Sequence, residues 1–324
     1  MKTTAYFIVA AALLAAACNK PGEEYDFDTV RYRNIYTVQA RDYPVACTIS
    51  MDRDTTFRLN ANYGGLDVPQ ENITVTFGAD PTLVNSFNED NQTLYPALLT
   101  DAYTISDAQT VIAKGKLYSS QAGVTIHPSQ FRGVGPYILP VSIASVSPEL
   151  PVNGSMRTVY LQIEGRHESN PYTNFDRTEW ELLSVSSQHN TTTYKAANIF
   201  DGDLTTFWHT SYATGNQPGP PHILVVDMKV KKEIHGLEVD GRTASATNLE
   251  SPYNRGNPRI VNLQVSDDNN TWTDAGTYVI PGAGVTVKNY VYLSSYVSGR
   301  YFKFTVTATL ADYYGTNVSE LYLF

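Results

Sequence analysis

Cysteine is nearly absent: Cys18 and Cys47 are the only two in 324 residues, which excludes a multi-bridge disulfide framework and leaves stability to core burial. Long apolar runs are also missing. The one apolar stretch near the N-terminus, Ala5 to Leu14, falls well short of the ~20 residues that a membrane-spanning helix needs. Positive charge is scarce, with 23 Lys and Arg against 32 Asp and Glu and a formal net charge of −9. So acidic a surface repels phosphate backbones and anionic head groups, which argues against nucleic-acid partners and against peripheral attachment to lipid. Catalytic signatures are absent as well: there is no HExxH, GxSxG, P-loop or strand-linked GxGxxG, and the six histidines are scattered without metal-ligand spacing.

What is present begins with an export signal. Lys2 precedes the short apolar run, small residues Ala15, Ala16 and Ala17 follow, and Cys18 comes next, the order that a lipoprotein signal peptidase requires before acylating a thiol. Residues 1–17 therefore read as a signal peptide and Cys18 as the lipidation site. The alternative is an ordinary cleaved signal with a spare cysteine. Cleavage removes one lysine and no acid, so the formal charge moves from −9 to −10. Residues 18–29 are polar, with Pro21, Gly22, Glu23 and Glu24, and read as a flexible acidic tether. Cys47, amid Val45, Ala46 and Ile49, suits a buried inert thiol better than a nucleophile.

Beyond the tether, tyrosine is abundant (23 copies) and short segments of period two dominate, which predicts an all-β chain of sandwiches. Ile73, Val75 and Phe77 share one strand face; Val261, Leu263 and Val265 share a second; Phe302, Phe304 and Val306 share a third. A single short helix is expected around Pro81 to Glu89. The polar stretch 165–176 lacks a strand pattern and reads as a linker between domains at 30–164 and 177–324.

Three segments of the first domain carry a resemblance. Val75-Thr-Phe-Gly-Ala-Asp-Pro-Thr-Leu-Val, Ile112-Ala-Lys-Gly-Lys-Leu-Tyr and Gly135-Pro-Tyr-Ile-Leu-Pro-Val occur in the order seen in the DUF1735 domain of Bacteroidetes surface lipoproteins. The resemblance implies an immunoglobulin-like β-sandwich acting as a spacer after the lipid anchor. Tyr95, Tyr103 and Tyr137 could form a binding face there, but in a small sandwich such rings more often cap the core.

The second domain carries six ordered motifs. They are Trp180-Glu-Leu-Leu-Ser-Val, Ala197-Asn-Ile-Phe-Asp-Gly-Asp-Leu-Thr-Thr-Phe-Trp-His, Ile223-Leu-Val-Val-Asp-Met, Val265-Ser-Asp-Asp-Asn-Asn-Thr-Trp, Gly299-Arg-Tyr-Phe-Lys-Phe and Val318-Ser-Glu-Leu-Tyr-Leu-Phe. Together they resemble the F5/8 type C, or discoidin, fold, a jelly-roll β-sandwich known in bacteria as carbohydrate-binding module family 32. On that resemblance Trp208 and Trp272 belong to the core. His209, Arg242 and Asn248 would hydrogen-bond the hydroxyls of a terminal sugar, with Tyr253 and Tyr313 as stacking platforms. The 244–258 loop is longer than usual and rich in Asn, Pro and Tyr, which leaves the ligand class open.

Asp201-Gly-Asp-Leu-Thr-Thr offers the hard oxygen donors that Ca²⁺ takes in flexible loops. The resemblance implies a structural calcium held by the side chains of Asp201 and Glu320, by Thr206, and by carbonyls of Asn198, Asp203 and Ser319. The alternative is an Asx turn without an ion. Read together, these features predict a noncatalytic lipoprotein on the outer face of the outer membrane. It would bind poly- or oligosaccharide, host glycans included, beside an outer-membrane importer and glycosidases. A protein-binding adhesive or structural lipoprotein and a small glycosidase with paired carboxylates remain as alternatives.

Overall fold

The computed structural model describes residues 28–242, 254–280 and 288–324. The chain is all-β, and its alternating segments form strands with the faces that periodicity assigns them. The first half contributes β1 (Asn34–Tyr36), β2 (Val45–Ser50), β3 (Thr55–Gly64), β4 (Ile73–Ala79), β5 (Tyr103–Ser106), β6 (Gln109–Ile112), β7 (Tyr118–Ile126), β8 (Tyr137–Ser147) and β9 (Thr158–Arg166). These make a four-stranded sheet ordered β1-β3-β7-β5 and a five-stranded sheet ordered β2-β9-β8-β4-β6. Ile73, Val75 and Phe77 point inward from β4 to meet Leu59, Ala61 and Val124 of the facing sheet. The expected helix is present: a 3₁₀ turn at Pro81–Leu83 runs into a helix over Val84–Asn91 that buries Val84 and Phe87 against Ile138. Cys47 is half-buried, and burial raises its thiol pKa, which disfavours the nucleophilic thiolate. Tyr137 lies in the core with its hydroxyl donating to the Gly133 carbonyl at 3.1 Å, while Tyr95 and Tyr103 are half-buried against two separate apolar clusters. The three do not form one face.

The second half contributes β10 (Glu181–Val185), β11 (Trp208–His209), β12 (His222–Gly241), β13 (Pro258–Ser266), β14 (Thr273–Val279), β15 (Lys288–Thr309) and β16 (Asn317–Leu323). They join in one seven-stranded sheet ordered β11-β16-β12-β15-β13-β14, with β10 also on β12. The two longest strands, β12 and β15, pair through most of their length but shift register between Asp227 and Lys232 and again between Ile234 and Gly236. Such bulges bend and twist a strand, so one sheet can curl over itself and enclose a core. That core holds Trp208, Leu224, Val226, Leu263, Phe302, Phe304 and Leu321. Trp272 is a correction to the expectation. It sits half-buried beside the edge strand β14, its ring covered by the Lys303 ammonium at 4.2 Å rather than by the core.

The two halves touch through backbone. Val134 and Gly135 N–H groups donate to the carbonyls of Leu293 and Ser294 at 2.9 and 3.0 Å, and Tyr296 N–H donates to the Arg132 carbonyl at 2.7 Å. Gly133, with φ +139°, lies so close to the Ser294 backbone that no side chain fits there.

Candidate functional site

At one end of the curled sheet a cavity of about 500 Å³ opens among loops, within the size range of small-ligand sites. Its floor is set by strand register. In β11 the side chains alternate, so Trp208 enters the core and His209 faces the cavity. β11 pairs antiparallel with β16, placing Trp208 opposite Val318 and His209 opposite Asn317. The Trp208 indole N–H donates to the Ser187 carbonyl at 2.8 Å and anchors this short strand.

His209 is buried, and its Nδ1 lies 2.6 Å from the Thr210 carbonyl. A carbonyl only accepts, so Nδ1 carries the proton and Nε2 presents a lone pair. Burial, with help from the nearby Arg242 cation, lowers the imidazole pKa, against a weaker opposing pull from Thr210. The ring is therefore neutral at pH 7. A base whose pKa falls on folding keeps its neutral-state contribution above the ordinary value of 6.5 and loses it as pH drops through the lower folded value. A ligand that needs the Nε2 lone pair is expected to bind with level affinity from pH 8 to 6.5 and more weakly in more acidic buffer, as titration calorimetry across pH would show; loss on the alkaline side would contradict a neutral imidazole as the binding form.

Arg242 follows the end of β12. Its backbone is clamped by Asn257, whose Oδ1 accepts from Arg242 N–H at 3.0 Å and whose Nδ2 donates to the Arg242 carbonyl at 3.1 Å. The guanidinium lies 4.3 Å from the ring centroid of Phe207, a cation–π contact that orients its fork of donors. Tyr313 lines the same cavity, 4.3 Å from Tyr314 between ring centroids. Burial and the neighbouring Tyr314 hydroxyl push its phenol up to about 12, so it is a neutral ring with a hydroxyl. Asn248 and Tyr253 lie outside the described residues.

Further cavity residues escape a reading of the sequence, among them Asn317, Tyr212 and Tyr194. Asn317 is buried with Oδ1 lacking a hydrogen-bond partner, and such an atom is costly unless a ligand or water satisfies it. Tyr212 stacks face to face on His189 at 3.7 Å and meets His209 edge-on at 5.0 Å. Tyr194 closes another side, 4.7 Å from Phe207. Only the pairing of β11 with β16 brings position 317 opposite 209, a contact no local pattern reveals. Gly256 matters to this geometry because a Cβ there would collide with Asn317 Nδ2. Gly256→Ala is expected to displace Asn317 and weaken ligand binding about tenfold, or about 1.4 kcal/mol, measurable by calorimetry.

On the far side of β16 lies the oxygen-rich loop. Thr206 Oγ1 donates to Asp201 Oδ2 at 2.6 Å. Asp203 Oδ1 accepts from Thr205 N–H and hydroxyl at 2.9 and 2.7 Å, while its carbonyl accepts from Thr206 N–H and hydroxyl, each at 3.1 Å. Glu320 is fully buried: Oε2 accepts from Arg177 at 2.7 Å, while Oε1 has no partner. Burial raises the Glu320 pKa, opposed by Arg177, and Asp201 adds like-charge repulsion. Its neighbour on β12, Asp240, is pushed up to about 7 by burial and by Glu238. Ser319 is buried beside it, and the Asn198 carbonyl accepts the Asp201 N–H at 3.2 Å. Carboxylate, hydroxyl and carbonyl oxygens are hard donors of the kind Ca²⁺ takes, though among the described residues no group of three or more His, Cys, Asp or Glu side chains is gathered for a metal.

A family of N-terminal domains matches over residues 30–150 and the F5/8 type C domain over residues 183–321. Curated relatives include a galactose oxidase of Gibberella zeae, 36% identical over 63 residues, and a sialidase of Micromonospora viridifaciens, 36% identical over 59. These matches span 19% and 18% of this chain and only 9% of each relative. Among solved structures, the C-terminal domain of a Bacteroides fragilis chitobiase is similar at 20% identity and TM-score 0.40, covering 47% of this chain and 97% of its own. A two-domain Bacteroides fragilis protein of unknown function is 13% identical with TM-score 0.36, covering 90% of this chain and 94% of its own. A Clostridium perfringens family 32 carbohydrate-binding module in complex with galactose is 17% identical with TM-score 0.37, covering 47% and 97%. Over residues 183–321 the chain is an F5/8 type C domain, preceded by a member of a separate N-terminal domain family at residues 30–150.

Proposed function

We propose that this protein is a cell-surface glycan-binding lipoprotein whose F5/8 type C domain captures a sugar in the cavity floored by His209, Arg242 and Asn317. One observation carries the reading: neutral imidazole, guanidinium and carboxamide converge from three separate elements into one cavity rimmed by tyrosines. A saccharide needs that combination. Vicinal hydroxyls each donate and accept, which matches the Nε2 acceptor, the guanidinium donors and the amphoteric amide. The apolar face of a pyranose packs on a ring, and Tyr212 and Tyr313 offer rings at the rim. This set of donors, acceptors and rings suits recognition of hydroxyls.

The remainder of the reading rests on the N-terminal sequence and the loop oxygens. Cys18 carries the lipid, the first sandwich spaces the binding domain from the membrane, and the captured glycan passes to an importer and its glycosidases. A single shallow site binds weakly, and display of many copies compensates by avidity. Ca²⁺, held by Asp201, Thr206 and Glu320 with carbonyls of Asn198, Asp203 and Ser319, ties the loop to the last strand and supports the β11–β16 pairing beneath the cavity. A glycan array probed with the whole chain, with calcium and with chelator, tests both parts. Binding of a related set of sugars, weakened by chelation, is expected. A blank array together with stoichiometric capture of one outer-membrane protein would replace this reading with an adhesive one.

A further inference from the structure

The first sandwich has concave surfaces of its own, far from the residues discussed above in sequence and in the fold. Two cavities, of about 620 and 680 Å³, adjoin at the 3₁₀ turn Val38–Arg41, and Arg41 lines both. The first is walled by a relay of side-chain amides. Thr37 Oγ1 donates to Gln39 Oε1 at 2.7 Å, Gln39 Nε2 donates to Asn60 Oδ1 at 3.0 Å, and Asn60 Nδ2 donates to Asn62 Oδ1 at 3.1 Å. Each amide fixes the orientation of the next, so the relay ends with the Nδ2 donors of Asn62 at the cavity wall. Cross-strand register sets Tyr118 directly opposite Asn62, and the Tyr118 ring is 65% exposed. The second cavity carries Tyr43, 49% exposed yet held edge-on against Tyr160 at 5.1 Å and tilted against Phe87 at 5.5 Å. A tyrosine kept in water by a rigid setting offers an apolar face at little entropic cost.

We propose that the N-terminal sandwich carries a second saccharide-binding surface, in which Tyr118 and Tyr43 are stacking platforms and Arg41 with the Asn60–Asn62 amides binds hydroxyls. The ligand class is a neutral oligosaccharide chain rather than a single sugar. Two lobes sharing one guanidinium accommodate successive units. Asp42 lines the groove next to Arg41, so neither charge sign dominates it and an acidic glycan gains nothing. Ordered amides and exposed rings, with few aliphatic side chains, suit a polyhydroxylated chain better than a protein segment, whose interface would need a larger apolar centre. This surface does not depend on the F5/8 type C cavity. It would turn the first domain from a spacer into a second contact, and both contacts on one chain raise avidity for a polymer.

The test separates the two sites. The whole chain carrying His209→Ala and Arg242→Ala is run in native affinity gels containing galactomannan, xyloglucan, pectic galactan, arabinogalactan or gastric mucin. At least one of these polymers is expected to retard it, with the dissociation constant rising at least fivefold on adding Tyr118→Ala or Arg41→Ala. Both positions are exposed, so unchanged melting of these variants checks the fold. The proposal is overturned if no polymer retards the His209→Ala, Arg242→Ala chain, or if retardation persists undiminished without Tyr118 and Arg41. Loss of all binding on His209→Ala and Arg242→Ala alone would leave the first site standing and remove the second.

Discussion

Arg177→Met is expected to destabilise the F5/8 type C domain by about 3–5 kcal/mol, the cost of leaving a buried charge without its partner. Arg177 and Glu320 expose 9% and 1% of their side chains. The same guanidinium nitrogen that meets Glu320 also donates to the Ile199 carbonyl at 2.7 Å and to the Leu321 carbonyl at 3.0 Å, and the group lies 3.6 Å from the centroid of Tyr322. It therefore joins the Ala196–Phe200 turn to the last strand as well as neutralising a carboxylate. Methionine fills most of the volume but supplies none of the donors. At roughly 2–4 °C per kcal/mol for a domain of this size, the melting transition should fall by about 10 °C in calorimetry. Adding Glu320→Gln to Arg177→Met should recover part of the loss by removing the stranded charge, a coupling that a double-mutant cycle measures. Excess Ca²⁺ should also recover part of it if the ion sits on Glu320 Oε1. Purely additive variants, with no calcium response, would mean that the arginine acts through its packing alone.

The second large effect concerns binding. His209→Ala and Arg242→Ala should each weaken the sugar ligand tenfold to a hundredfold, since hydrogen bonds to charged or buried groups are worth about 1.5–3 kcal/mol. Their combined effect should be less than the product, because both address one sugar ring. Arg242→Lys should not restore affinity: lysine keeps the charge but loses the planar fork that Phe207 orients. Calorimetric titration with an array-positive sugar checks the series, and circular dichroism confirms that the fold is intact.

Much of the architecture was legible because alternation is a local property. Ile73, Val75 and Phe77, or Phe302, Phe304 and Val306, announce their buried face without knowledge of any partner. Trp208 and His209 are distinguished by the same rule. Trp272 shows its limit: a large aromatic ring beside an edge strand stays outside the core, and Lys303 covers it. The cavity was half legible. His209 stands in a recognisable motif and Arg242 and Tyr313 follow from the family resemblance and the loop aromatics, but Asn317, Tyr194 and Tyr212 join them through strand register and loop packing. Such contacts depend on residues a hundred positions apart. The groove of the first domain was invisible for the same reason, since Asn62 and Tyr118 meet only when β3 pairs with β7, and Arg41 joins them from the turn Val38–Arg41.

The most direct test is calorimetric titration of the intact protein with the strongest sugar from the array, beside Asn317→Ala. Asn317 was not suggested by any motif, so its response isolates the geometry of the cavity from the family resemblance. Saturable binding that falls at least tenfold on Asn317→Ala, with the melting temperature of the variant close to the parent, is the predicted result. Sugar binding unaffected by Asn317→Ala, His209→Ala and Arg242→Ala alike would contradict it and place the ligand elsewhere on the molecule.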